Sequence, residues 1–150
     1  MKKFQFSLAT VLAYKEQRLE LLQGEHAVIL ARVREAEREL SNMEDRYRSY
    51  NEGYQERASL GMLITEARVF ESELRAMERE IELQNRKLAA LREAAEQKRE
   101  EVVEAKKETA SIEKLKEKKQ EAYRKAVQKD AEQQIDEFVG AAIGGAQQRG

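Results

Sequence analysis

Stepping along the chain from Leu8 by alternating four and three residues selects Leu8, Leu12, Lys15, Leu19, Leu22, His26, Ile29, Val33, Ala36, Leu40, Met43, Tyr47, Tyr50 and Tyr54. Of these 14 positions 12 are hydrophobic, where 41% hydrophobic composition would give about 6. A 3.5-residue repeat held this long is the mark of a coiled-coil seam, because it keeps one apolar strip facing a partner helix. A second series runs Leu60, Leu63, Ala67, Phe70, Leu74, Met77, Ile81, Gln84, Leu88, Leu91, Ala95, Lys98, Val102, Ala105, Thr109 and Ile112, and 13 of its 16 members are hydrophobic.

The two series are out of phase. Continuing the first would select Arg57, Gly61, Ile64, Arg68, Glu71 and Arg75, which is mostly charge. A single helix would therefore lose its seam near residue 55. Gly53, Ser59 and Gly61 lie in this gap, and glycine marks turns and helix ends. The pattern predicts a helix over about 5–54, a turn over about 53–62, and a helix over about 63–138, with Thr65 as a weak cap. A short connection between long amphipathic helices favours antiparallel neighbours. The expected fold is all-α: a long two-helix antiparallel coiled-coil hairpin with a C-terminal single-helix overhang.

A turn centred near residue 57 would set residue i opposite about 114 − i. The first helix would then run out of partner near residue 108, close to where the second seam loses register. Residues 110–138 are expected to project alone, by roughly 40 Å at 1.5 Å per residue. The glycine-rich end, 139–150, is expected to be a flexible tail.

Composition supports long helices. Ala, Glu, Lys, Leu and Arg make up about 59% of the 150 residues, and there is no proline to interrupt a helix. There is no cysteine, so disulfides, thiolate metal sites and thiol nucleophiles are excluded. The apolar residues near the start are broken by Gln5, Ser7 and Thr10 and followed by Lys15, Glu16 and Arg18, which does not suit a secretory leader. No stretch has the run of apolar residues that a membrane-spanning helix needs.

Catalytic signatures are also missing. His26 is the single histidine and Glu25 falls on a different helical face. No phosphate-binding glycine loop occurs, and the many carboxylates are spaced as ordinary helix-surface residues. His26, Lys15 and Lys98 read as polar seam residues of the kind that fix register. The chain is expected to be no enzyme, with no metal and no cofactor. The stretch 113–129 carries Lys114, Lys116, Lys118, Lys119, Arg124, Lys125 and Lys129 against Glu113, Glu117 and Glu121. It reads either as a solvated helix surface or as a dock for an acidic partner. The chain as a whole has net charge −1 and lacks a row of stacking aromatics, so nucleic acid is not expected.

Several motifs together resemble the FliJ family of flagellar export proteins. They are Phe4-x-Phe6-x-Leu8 with Val11-Leu12 and Tyr14-Lys15-Glu16; Ile112-Glu-Lys-Leu115-Lys-Glu-Lys-Lys119 leading to Tyr123; and Gln134-Ile-Asp136-Glu137-Phe138. The resemblance implies a cytoplasmic, stalk-like coiled coil of the type III export apparatus, associated peripherally with the membrane. It implies three partners: the hexameric export ATPase, the export gate membrane protein and export chaperones. Carried over, it sets Phe4, Phe6, Leu8, Leu115, Lys118, Lys119, Tyr123, Asp136 and Glu137 at an ATPase-facing end. Tyr47, Tyr50 and Tyr54, with Phe70, Leu74 and Met77 opposite, either fill the seam or form an aromatic patch for the gate or a chaperone. The equivalent stalk of a virulence secretion system and a generic coiled-coil tether are the alternative readings. The chain by itself is expected to be monomeric.

Overall fold

The structure, a computed structural model, describes residues 2–148, with side chains through residue 145. It is an all-α helical hairpin of two elements, α1 (Ala9–Leu60) and α2 (Ile64–Gln148). The chain divides into two compact units, Met1–Leu19 with Glu104–Gly150, and Glu20–Val103. In each unit a segment of α2 runs antiparallel to the chain that precedes it.

The heptad seam is the buried strip. Every position of the first series, Leu8 to Tyr54, is buried or half-buried, while the residues between are largely exposed. Within the second unit the core gathers around Val33, Ala36, Leu88 and Ala95, with Ile29, Leu30, Leu40 and Leu91 packed against it. Ala36 and Leu88 are only 2% and 3% exposed. Alanine facing leucine lets the two backbones approach without a void, which is how a narrow two-helix core reaches close packing. In the first unit Leu12, Ala105 and Thr109 are buried, and Thr109 returns its hydroxyl to the Ala105 carbonyl at 2.8 Å, so its polarity is satisfied inside its own helix.

Chain reversal occurs later than the glycine pattern suggests. α1 passes through Gly53 and ends at Leu60, and Gly61 takes φ +98°, the left-handed conformation that closes a helix and that glycine adopts at no steric cost. The Gly61 amide donates to the Ala58 carbonyl at 3.3 Å, and the Ser59 hydroxyl to the Glu56 carbonyl at 2.7 Å. Gly53 costs the helix about 1 kcal/mol relative to alanine. Its neighbours Tyr50 and Tyr54 both pack on Phe70, and that packing holds the helix through the glycine. The turn is therefore residues 61–63 rather than 53–62. Leu60 and Leu63, placed in the second seam by spacing, flank this turn and are 82% and 68% exposed. Thr65 lies inside α2, whose first turn instead begins with the Ala67 amide donating to the Leu63 carbonyl at 3.0 Å.

The later turn shifts the register. In the second unit Glu25 meets Lys98, Glu39 meets Gln84 and Arg57 meets Glu66. In the first unit Lys15 meets Glu108. Each pair follows a rule near 123 − i, not 114 − i. Helix ends move with it. The chain before Ala9 is not helical, so α1 starts later than residue 5. α2 continues through Gly140, Gly144 and Gly145 to Gln148, supported by the helix-favouring Ala141 and Ala142 among them. The expected tail is thus helical through 148, and its last two residues lie outside the described residues.

This register is measurable. Spin labels at Arg34→Cys and Ala89→Cys should be closer than labels at Arg34→Cys and Glu80→Cys, which carry an axial offset of roughly 13 Å. Dilution with unlabelled chain should leave both distances unchanged. A shorter 34/80 distance would restore the earlier turn, and a distance lost on dilution would mean pairing between chains.

Candidate interaction surfaces

Lys15, Gln84 and Lys98, polar residues in the seam, each have a partner. Lys98 sends its ammonium to Glu25 at 2.9 Å and to Glu101 at 2.8 Å, and these hydrogen bonds raise its pKa above the ordinary lysine value. Lys15 reaches Glu108 at 2.9 Å. Gln84 is 7% exposed and donates from one amide nitrogen to the Ala36 carbonyl at 3.1 Å and to Glu39 at 3.2 Å. Such links stabilise one register over its neighbours, because a slipped pairing would strand the Gln84 amide in the core. His26 is half-buried in the seam. Among the described residues no cluster of His, Asp and Glu is arranged to hold a metal ion.

Near the turn, in the second unit, the tyrosine row meets α2. The rings of Tyr50 and Tyr54 each lie 5.2 Å from Phe70, centroid to centroid, in tilted contacts. The Tyr47 hydroxyl donates to Glu78 at 2.7 Å and the Tyr54 hydroxyl to Glu71 at 3.4 Å. Leu74 is buried and Met77 half-buried. Tyr50 and Tyr54 thus meet Phe70, Met77 lines the same groove as Tyr50 and Phe70, and Glu71 and Glu78 are hydroxyl acceptors that sequence spacing alone did not single out. The 123 − i rule sets Tyr47 and Tyr54 opposite Ala76 and Val69, two residues short of these carboxylates, so both lie within reach once the turn is placed correctly. Beside the rings an open groove of about 500 Å³ is lined by Arg46, Ser49, Tyr50, Gly53, Arg57, Phe70 and Met77. A Cβ on Gly53 would meet nothing within 4 Å, so this side of α1 is left open. Arg57 is held by Glu66 at 3.0 Å.

In the first unit the nine expected residues separate into two groups. Phe4, Phe6 and Leu8 are half-buried, and the Phe4 ring lies 5.5 Å from that of Tyr123. The Tyr123 hydroxyl donates to the Lys2 carbonyl. Leu115, Lys118 and Lys119 are exposed on α2 in the same region. Asp136 and Glu137 are exposed farther along the helix and join none of these contacts. The α2 segment from Arg124 onward has no α1 segment beside it in the 123 − i register, and it exposes Val127, Ile135, Phe138, Val139 and Ile143. The unpaired part of α2 thus begins after Tyr123 rather than at residue 110, because the N-terminal segment covers the helix that far.

The tyrosine links carry a pH dependence. The Tyr47 phenol is raised above its ordinary value of 10.0, first by its hydrogen bond to Glu78 and then by desolvation and the Glu78 charge. Tyr54 is raised first by desolvation, then by the Glu71 charge and hydrogen bond. A raised folded-state pKa means that the contribution is complete below about pH 10 and is lost as the pH rises through the folded value. The parent should therefore melt higher than the Tyr47→Phe/Tyr54→Phe variant at neutral pH, and the gap should close above pH 10. A gap that stays constant or widens there would show that the hydroxyl bonds do not stabilise the fold.

The Flagellar FliJ protein family matches residues 4–148 of this chain. No curated protein and no solved structure matches it significantly. The family match spans both helices, the turn, Phe4 and the exposed end of α2, and on that extent the chain belongs to the FliJ family.

Proposed function

We propose that this chain acts as a stalk-like component of flagellar type III export that engages and stimulates the hexameric export ATPase. Family membership supports the flagellar export setting. The observation that carries the ATPase reading is the continuation of α2 past Tyr123, through residues 124–148, as a helix whose apolar and charged side chains are largely exposed as far as Ile143. A lone helix end has the width to enter the opening of a ring of subunits. Contacts that differ between ring states bias those states without any catalytic group on the stalk. In this reading the chain is not an enzyme and works at the cytoplasmic side of the export apparatus. No helix among the described residues is long and apolar enough to cross a membrane, so membrane association would come through partners.

The groove beside Tyr50 and Phe70 is the surface we assign to the export gate protein or an export chaperone. Its support is the combination of half-buried rings, an open wall at Gly53 and arginines at the rim. Aromatic residues flanked by arginine are the side chains that most often dominate protein interfaces.

Truncation after Lys125 keeps the Tyr123 contacts and removes only the unpaired helix. The truncated chain should retain the thermal midpoint of the parent within a few degrees and lose stimulation of ATP hydrolysis by the purified export ATPase. Full stimulation by this truncated chain would rule out the C-terminal helix as the ring-engaging end.

A further inference from the structure

The segment before α1 is a strap with a task of its own. Residues 2–6 lie outside any helix, with Phe4 and Phe6 half-buried and Lys2, Lys3 and Gln5 exposed. That alternation is the period of an extended chain laid on a surface. Nothing favours extending α1 through it. The first turn of α1 has no acidic residue, and Lys2 and Lys3 would stand at the positive end of the helix dipole. The strap is held instead by the Phe4–Tyr123 ring contact and by the Tyr123 hydroxyl on the Lys2 carbonyl.

This arrangement gathers cations. Lys119 lies one helical turn before Tyr123 on the same face, and Lys116 about two turns before it. Lys2, Lys3, Lys116 and Lys119 form no ion pair among the described residues. Glu121 is engaged by Arg124 at 2.7 Å, which leaves Glu117 as the one uncommitted carboxylate in 116–121. Collected like charges repel, so a docked strap is most stable when an anion faces it.

We infer that the strap at residues 2–8 completes a lysine-rich docking surface for an acidic protein segment, with Tyr123 as the positioning residue that holds the strap in place. The surface belongs to the end assigned above to the ATPase, and only its location rests on that reading. Protein is favoured over nucleic acid because the aromatic rings here, Phe4, Phe6 and Tyr123, are half-buried, and Phe4 and Tyr123 pack on each other rather than forming an open stacking row. Protein is favoured over lipid because Phe4 and Phe6 are half-buried, Phe4 against Tyr123 of α2, so the exposed side chains of the strap, Lys2, Lys3 and Gln5 among them, are polar and give no apolar anchor for a bilayer.

The chain has no cysteine, so Gln5→Cys and Gln120→Cys take labels uniquely and report the strap's distance from α2 in the full chain. Poly-L-glutamate is the probe, titrated at low and at physiological ionic strength. Phe4→Ala, Tyr123→Phe and Lys2→Gln/Lys3→Gln separate the ring contact, the hydroxyl bond and the charge. Poly-L-glutamate should narrow the distribution of label distances. Phe4→Ala and Lys2→Gln/Lys3→Gln should each weaken its binding by roughly tenfold at low salt and flatten the salt dependence. Tyr123→Phe should show a smaller change in the same direction. Combining Phe4→Ala with the lysine changes should weaken binding no further, because both remove the same cations from the surface. The inference is overturned by parental affinity in Phe4→Ala once its labels have moved apart. Additive losses, or tighter binding of duplex DNA or phosphatidylglycerol vesicles than of poly-L-glutamate, would also overturn it. None of these readouts involves an ATPase. If the truncation at Lys125 keeps full stimulation while polyglutamate binding depends on the strap, the ring reading falls and this one stands. The reverse outcome sinks this one alone.

Discussion

Burial of a single narrow apolar strip is the interaction on which the rest of the structure depends. Two helices of 52 and 85 residues cannot bury more than one side each against the other, so their mutual stability comes from a seam of Leu, Val, Ala and Met at 3.5-residue spacing. Fully removing one such side chain from water contributes about 1.5–3 kcal/mol. The seam's small members Ala36 and Ala95 bury little area themselves but let Leu88 and Val33 close in around them. Most positions outside this strip are polar and solvated, with exposed apolar residues such as Leu21, Val28, Val69 and Leu83 scattered among them.

A seam of uniform apolar residues would slide. Polar members make slipping costly, and they are spread along its length: Lys15 with Glu108, Lys98 with Glu25, Gln84 with the Ala36 carbonyl, and Tyr47 with Glu78. Each satisfies a group that would otherwise lose its partner in a shifted register. The same constraint bears on function. In the proposed stalk role the two helices must keep a fixed register, and surfaces built from both helices, such as the one around Tyr50 and Phe70, exist only in that register.

The fold class was legible in the amino-acid sequence because heptad spacing and the absence of proline leave few alternatives. Seam membership was legible almost residue by residue. Turn position was not. Gly53 and Gly61 look alike in sequence, and only the one at the left-handed position reverses the chain, so pairing was displaced by about nine residues. The strap was hidden for a different reason. Phe4 sits four residues before Leu8, so an extended segment and a longer helix would both bury it. Of the candidate sites, the tyrosine row and its α2 partners were visible as seam positions, whereas Glu71 and Glu78 required the correct register. Asp136 and Glu137 were singled out by family resemblance, and their exposed positions give no physical contact from which their role follows.

Native-state hydrogen exchange tests most directly whether the seam, rather than helix propensity, holds the two helices. If the seam does so, amides around Val33–Leu40 and Leu88–Ala95 should be the most protected and should exchange together, with one shared opening free energy. Amides of the unpaired helix beyond Lys125 should exchange far faster, although they have the same helical hydrogen bonds. Equal protection along the whole of α2, or separate opening of the two paired segments, would contradict the account.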